Sequence, residues 1–128
     1  MSEPVSQFKS KSGLGRILPA TAYACAGIKA AWQNEHAFRQ EAVVVLILTI
    51  TALVLPISAF QKLFLIAVLV LVMIVELINS AIEAVVDRIS LEQHPLSKNA
   101  KDMGSAAVML SIFIAGSCWV VVLFTRFY

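Results

Sequence analysis

The sequence predicts an all-α membrane protein, with three transmembrane helices and an N-terminal amphipathic surface helix. Hydrophobic residues make up 59% of the 128 residues, and the mean hydropathy is +0.85. Soluble domains are about 45–50% apolar, so this excess is too large for an ordinary core. The apolar residues form blocks, and the charged residues fall mainly in residues 2–41 and 76–102. The net charge of +2 is too small to indicate nucleic-acid binding.

The chain before the first apolar block is predicted to contain a tail (residues 1–15) and a surface helix (residues 16–35). On a helical wheel, Leu18 and Trp32 fall on one side of this helix, and Tyr23 falls on the other. A helix of this kind lies in the membrane interface, with its tryptophan at the level of the headgroups. The alternative is a flexible basic tail, mainly over the first twelve residues.

Three apolar blocks predict transmembrane helices at residues 36–57, 62–91 and 100–125. A bilayer needs about 20 apolar residues per helix, and three strands could not close a barrel in lipid. The first link is only a few residues long, so the first two helices form an antiparallel pair. The second helix continues past its apolar part into a polar cytoplasmic extension. Asn99 is the expected N-cap of the third helix, with Asp102 in its first turn.

The basic residues predict the orientation of these helices. Eight of the ten Lys and Arg residues precede the first apolar block or lie around the link between the second and third blocks. Cytoplasmic segments carry an excess of Lys and Arg, so we expect the N-terminus and the second link to be cytoplasmic. Lys62 and Arg126 then fall on the outer side.

The second helix carries an acidic stripe formed by Glu76, Glu83 and Asp87, with Asn79 and Ser80 beside it. Spacings of seven and four residues place the three carboxylates on one helix face. Seven residues rise about 10 Å, so Glu76 lies deeper in the membrane than Glu83. A carboxylate at that depth costs on the order of a few kcal/mol. This cost favours a general base or a cation site; the alternative is that these groups only join helices by hydrogen bonds.

Two further polar clusters lie on the same side of the membrane. Glu35 could complete a metal site with Glu83, or it could act with Arg39 as an interfacial anchor. Lys101 could approach a phosphate and Asp102 could orient it, or the pair could simply begin a charged helix. The chain has no GxxxxGK[ST] phosphate-binding loop. The residues alone therefore indicate a cytoplasmic-facing cation or acid–base site, without defining its reaction.

Three motifs resemble those of the bacterial integral-membrane diacylglycerol kinases: ELINSAIEAVVDRI at residues 76–89, AAWQNEHAFRQE at 30–41 and AKDMGSAAV at 100–108. The resemblance covers most of the chain from about Arg16. It implies a homotrimer in the bacterial inner membrane, with three transmembrane helices and one surface helix per subunit. It also implies transfer of the γ-phosphate of ATP to the free hydroxyl of 1,2-diacylglycerol for lipid recycling. The product is phosphatidic acid, and Mg²⁺ is the implied cofactor.

The resemblance also implies a role for each matching residue. Glu76 would be the catalytic base, and Glu35 and Glu83 would hold the Mg²⁺ bound to the nucleotide, with Glu35 facing a neighbouring subunit's Glu83. Asn79 and Asp87 would be supporting residues in the wall of the site. The implied nucleotide-binding residues are Arg16, Tyr23, Glu35, Glu83, Glu92, Gln93, His94, Lys101 and Asp102. The implied lipid-substrate residues are Arg16, Ala20, Tyr23, Lys29, Ala30, Ala31, Trp32, Ala37, Phe38, Arg39, Gln40, Glu41, Glu76 and Ser105.

Two alternative functions remain. A related branch of the family phosphorylates undecaprenol, although the VVDRIS and KDMGSAAV segments look more like the diacylglycerol branch. A small cation or proton transporter would use the same carboxylates. Transport predicts acidic groups along a path through the bilayer, whereas the outer half of every predicted span is uncharged.

Overall fold

The computed structural model describes residues 13–128, which form four α-helices after a short 3₁₀ turn at Leu14–Arg16. The helices are α1 (Ile17–Asn34), α2 (His36–Val54), α3 (Ala59–Ile89) and α4 (Pro95–Phe127). α2, α3 and α4 are each long and apolar enough to cross a membrane. α3 is the central helix and packs against both α2 and α4, while α1 packs against α2 and α3. The predicted all-helical, multi-pass architecture is confirmed; the tail over residues 1–12 lies outside the described residues.

A corner at Glu35 separates α1 from α2. The backbone of Glu35 is extended (φ −110°, ψ 109°), and its N–H donates to the carbonyl of Ala31 at 2.8 Å. Nη1 of Arg39 closes the corner by donating to the carbonyls of Trp32 (2.8 Å) and Gln33 (3.2 Å). A basic side chain of α2 thereby satisfies carbonyls that the end of α1 would leave unpaired. The corner explains why one continuous polar segment forms parts of two helices.

The link between α2 and α3 spans residues 55–58 and ends in a capping box. The N–H of Gln61 donates to Ser58 Oγ at 3.1 Å, and the N–H of Ser58 donates to Gln61 Oε1 at 3.0 Å. This reciprocal pair satisfies two of the donors that a helix start leaves free. The short link and its sharp helix start confirm that α2 and α3 are neighbours along the chain and in space.

Two basic side chains bond to the C-terminal end of α2 and its link. Lys62 Nζ donates to the carbonyl of Leu53 at 2.7 Å. Arg126 Nε, close to the end of α4, donates to the carbonyl of Pro56 at 2.6 Å. These are the two basic residues that the sequence assigned to the outer side. Arg126 joins α4 to the link between α2 and α3, and Lys62 joins the first turn of α3 to the end of α2.

α4 begins earlier than the sequence predicted. Its N-cap is His94, whose Nδ1 accepts the N–H of Leu96 at 3.1 Å. Pro95 occupies the first turn, where the missing N–H of proline breaks no helical bond. The predicted N-cap, Asn99, therefore lies inside the helix, and Asp102 lies beyond the first turn. The prediction was wrong because Pro95 begins the helix rather than belonging to a turn before it.

The apolar core occupies one half of the bundle, and the buried polar residues occupy the other. Residues that form the core lie on α2, α3 and α4: Ala52, Leu65, Val68, Leu69, Val72, Ala115, Trp119 and Val122. Further along α3, the buried positions become polar at Glu76, Asn79 and Ser80. The same helix face thus changes from apolar packing to a polar site.

Candidate functional site

The acidic stripe follows the polar part of the buried face of α3. Glu76 is 3% exposed, and Asn79 and Ser80 are each 8% exposed. Glu83 is half-buried, and Asp87 is exposed. The exposure of the three carboxylates therefore increases from Glu76 through Glu83 to Asp87. This matches the prediction that Glu76 lies deepest.

Three other carboxylates lie near Glu76. Those of Glu41, Glu83 and Glu35 are close enough to interact with it electrostatically. Glu83 belongs to α3, Glu41 to α2, and Glu35 to the corner between α1 and α2. We call these four residues the acidic cluster. Like charges so close together repel one another, so the cluster is typical of a cation-binding or acid–base site.

Asn79 connects the acidic cluster to α4. Its Nδ2 donates to Glu83 Oε1 at 3.2 Å. Its Oδ1 faces Gly104 of α4, where a Cβ atom would overlap it. Within residues 13–128, four buried side-chain atoms have no hydrogen-bond partner: Asn79 Oδ1, Ser80 Oγ, Glu41 Oε2 and Trp119 Nε1. Buried polar atoms without partners are uncommon in folded proteins. The first three belong to the acidic cluster or adjoin it, and Trp119 lies in the apolar core.

A polar cleft of about 600 Å³ lies at the link between α3 and α4. Across it, Lys101 Nζ forms an ion pair with Asp87 Oδ1 at 2.7 Å. Lys101 also lies close enough to Glu83 for electrostatic interaction, while Lys98 pairs with Asp102 along α4. Five of the predicted nucleotide-binding residues line the cleft, namely Glu92, Gln93, His94, Lys101 and Asp102.

The predicted nucleotide-binding residues of the N-terminal segment lie elsewhere. Arg16 ends the 3₁₀ turn, Tyr23 is exposed on α1, and neither lines the polar cleft. Within residues 13–128, α1 packs against α2 and α3 but not against α4. Within the described part of one chain, α1 therefore does not pack against the part of α4 that carries Lys101.

The remaining predicted lipid-substrate residues differ in exposure. Arg39 holds the corner at Glu35, as described above. Ala31 and Phe38 are buried in the contact of α1 and α2 with the bundle. The exposed members of this group are Ala20, Lys29, Ala30, Trp32, Ala37, Gln40 and Ser105.

The donor chemistry of the acidic cluster fits Mg²⁺. This ion prefers oxygen ligands and is usually bound through one or two carboxylates together with water and substrate phosphates. In the described part of the chain, no group of three or more His, Cys, Asp or Glu side chains is arranged to hold a metal ion. An ion that is also bound by phosphates needs fewer carboxylates, and Glu35 and Glu83 are the two that the sequence predicts for it.

Sequence reasoning missed two features of the site. Glu41 was assigned only to lipid binding, yet its carboxylate also lies close enough to Glu76 for electrostatic interaction. Gly104 was not singled out, although an isolated glycine within a helical pattern often marks close packing. Neither contact follows from the spacing of residues in one helix, because both join different helices.

Comparison with known proteins places the chain in a family. Residues 22–123 match the family model of the prokaryotic diacylglycerol kinases. The chain is 51% identical over 116 residues to the diacylglycerol kinase of Escherichia coli K12, covering 91% of this chain and 95% of that relative. It is 51% identical over 118 residues to the diacylglycerol kinase of Pseudomonas aeruginosa, with 92% and 96% covered. The corresponding values for the Haemophilus influenzae enzyme are 42% over 113 residues, with 88% and 96% covered.

The fold and the site together define a multi-pass helical membrane protein with an acidic cluster around one buried glutamate. The chain belongs to the prokaryotic diacylglycerol kinase family. The motif-based resemblance is thereby confirmed over most of the sequence.

Proposed function

We propose that this chain is an ATP-dependent diacylglycerol kinase of the bacterial inner membrane, which makes phosphatidic acid for lipid recycling. The observation that carries the proposal is the acidic cluster around Glu76, which lies in a helix long and apolar enough to cross a membrane. Family membership and the names of the relatives support diacylglycerol as the substrate. The position of Glu76 in a helix long and apolar enough to cross a membrane fits a substrate that stays in the membrane.

Glu76 is the proposed catalytic base. Its carboxylate accepts the proton of the lipid hydroxyl while the hydroxyl oxygen attacks the γ-phosphorus of ATP. The bond between that phosphorus and the β–γ bridging oxygen breaks, and ADP leaves with the bridging oxygen. A positioned base contributes typically about 10²- to 10⁴-fold to the rate of such a step. The burial of Glu76 excludes water, which would otherwise compete with the lipid as the phosphate acceptor.

The charged residues around Glu76 have complementary roles in this proposal. Glu35 and Glu83 would hold Mg²⁺, which when bound would offset negative charge on the phosphates. Lys101 neutralises further phosphate charge, and Asp87 fixes its position through the ion pair. Asn79 orients Glu83 through the hydrogen bond from Nδ2.

A homotrimer would complete the proposed site. Two of the nucleotide-binding residues, Arg16 and Tyr23, lie in the 3₁₀ turn and α1, neither of which packs against α4 within residues 13–128 of one chain. The α1 helix of a second copy could bring its own Arg16 and Tyr23 to the polar cleft, and its Glu35 to Glu83. The basic residues support a cytoplasmic site, where ATP is present.

The activity is tested by supplying ATP, Mg²⁺ and dioleoylglycerol to the purified protein in lipid bicelles. Phosphatidic acid should form, and Glu76→Gln should nearly abolish its formation. Undecaprenol is supplied in a parallel reaction; faster phosphorylation of undecaprenol than of dioleoylglycerol would show that the proposed substrate is wrong. Glu76-dependent cation or proton flux across vesicles, without phosphorylation of either lipid, would favour the transporter instead.

A further inference from the structure

α3 and α4 meet closely where Asn79 faces Gly104. The three atoms nearest to a Cβ built on Gly104 all belong to the Asn79 side chain, and this Cβ would overlap Oδ1 and lie 3.2 Å from Cγ. The same construction at Gly27 and Gly116 meets no atom within 4 Å. Of these three helical glycines, Gly104 is therefore the one at which a side chain would collide with a neighbouring residue.

Both polar atoms of the Asn79 side-chain amide have a specific neighbour. Nδ2 donates to Glu83 Oε1 at 3.2 Å. Oδ1 has no hydrogen-bond partner of the ordinary kind within residues 13–128, and it faces the position where Gly104 carries a hydrogen on Cα instead of a Cβ. A Cα hydrogen is a weak donor to oxygen. This contact leaves the amide with its NH₂ group toward Glu83.

We propose that Gly104 is a positioning residue for phosphoryl transfer: it leaves the space that the Asn79 amide occupies, and this amide orients Glu83. The inference rests on the proposed function, in which Glu83 is a ligand of Mg²⁺. Groups that orient a metal ligand typically change metal affinity or activity by about 10- to 100-fold when they are removed. Gly104 thus acts on the site through Asn79 and touches neither substrate.

A methyl group at position 104 should disturb the site more than the fold. The atoms that it would overlap lie at the end of the Asn79 side chain, which can rotate away. Rotation breaks the hydrogen bond to Glu83 while leaving the helix backbones in place. Replacing Gly104 by alanine therefore separates the positioning role from a general packing role.

The test compares four proteins: wild type, Gly104→Ala, Asn79→Ala and the double variant. Each is titrated with the Mg²⁺ complex of a non-hydrolysable ATP analogue carrying a β–γ methylene bridge, by calorimetry in detergent micelles. Gly104→Ala should weaken binding by about 10- to 100-fold in the wild-type background. In the Asn79→Ala background, the same change should alter binding by less than roughly twofold, because its target is already gone. The matched control, Gly116→Ala on the same helix, should bind as wild type does.

Two results would overturn the proposal: an equal loss of affinity from Gly104→Ala in both backgrounds, or wild-type affinity for Gly104→Ala alone. Thermal unfolding provides a readout that needs no nucleotide. With Asn79 present, Gly104→Ala should lower the midpoint of thermal unfolding relative to Gly116→Ala. In the Asn79→Ala background this difference should disappear. An equal decrease in both backgrounds would also overturn the proposal. If the wild type binds the analogue but makes no phosphatidic acid, the proposed lipid substrate is wrong, and the binding cycle still decides the role of Gly104.

Discussion

Lys101 Nζ on α4 lies 2.7 Å from Asp87 Oδ1 on α3, beside the polar cleft. The two side chains are 41% and 50% exposed. An ion pair this open to solvent contributes about 0–1 kcal/mol to stability, because water screens the attraction. The contact therefore matters more for the position of Lys101 than for the free energy of unfolding.

We expect Asp87→Asn to raise the KM for Mg·ATP about fivefold, which corresponds to the loss of roughly 1 kcal/mol of positioning. The free energy of unfolding should change by less than about 1 kcal/mol. Steady-state kinetics and denaturant unfolding in bicelles measure the two effects. Adding Asp87→Asn to Lys101→Met should raise the KM no further; an additional increase would mean that Asp87 contacts the nucleotide independently of Lys101.

Arg39→Gln should raise the KM for Mg·ATP, because the Arg39 guanidinium holds the corner that positions Glu35. The matched control is His36→Ala. His36 hydrogen-bonds to Arg39 and Gln40 at the same corner, but its side chain is not bonded to the end of α1. The KM of the His36→Ala variant for Mg·ATP should therefore stay within about twofold of the wild-type value. An increase in the KM for diacylglycerol alone would instead favour the lipid contact that the family resemblance implies for Arg39.

Arg126→Gln should lower the free energy of unfolding by about 1 kcal/mol, the usual net value of a hydrogen bond, because Arg126 Nε donates to the carbonyl of Pro56. Both kcat and KM should remain unchanged, since this contact lies at the end of the bundle away from the acidic cluster. Thr125→Val is the control on the same turn, because Thr125 bonds only to carbonyls of its own helix. Loss of activity at unchanged stability would show that this end of the bundle is coupled to the site.

The helices and the depth order of the acidic stripe were predictable from the sequence. Lipid leaves the backbone few options other than helices, so three apolar blocks were enough to predict α2, α3 and α4. Spacing along one helix placed Glu76 deeper than Glu83, because that relationship depends only on helical geometry. The start of α4 was mispredicted, since Pro95 is compatible with a turn and with a first helical turn. The hydrogen bonds that the N–H groups of Leu96 and Lys98 donate to His94 show that it begins a helix.

The proximity of the four glutamates in the acidic cluster was only partly predictable from the sequence. Glu35 lies near enough to Glu76 for electrostatic interaction because the chain turns a corner at Glu35, where Arg39 hydrogen-bonds to the end of α1. The contact between Asn79 and Gly104 depends on the rotation of α3 relative to α4. Patterns within one helix do not specify either relationship, because both are set by packing between helices.

The role of Glu76 as the base can be tested with one substitution, since Glu76→Gln keeps the size of the side chain but cannot accept the hydroxyl proton. Single-turnover phosphorylation of dioleoylglycerol is measured together with binding of the Mg²⁺ complex of the non-hydrolysable ATP analogue. The single-turnover rate constant should fall by at least about 100-fold, with nucleotide affinity and unfolding midpoint close to wild type. A rate constant within about tenfold of wild type would show that Glu76 is not the base, and loss of nucleotide binding together with the folded state would show that its role is structural.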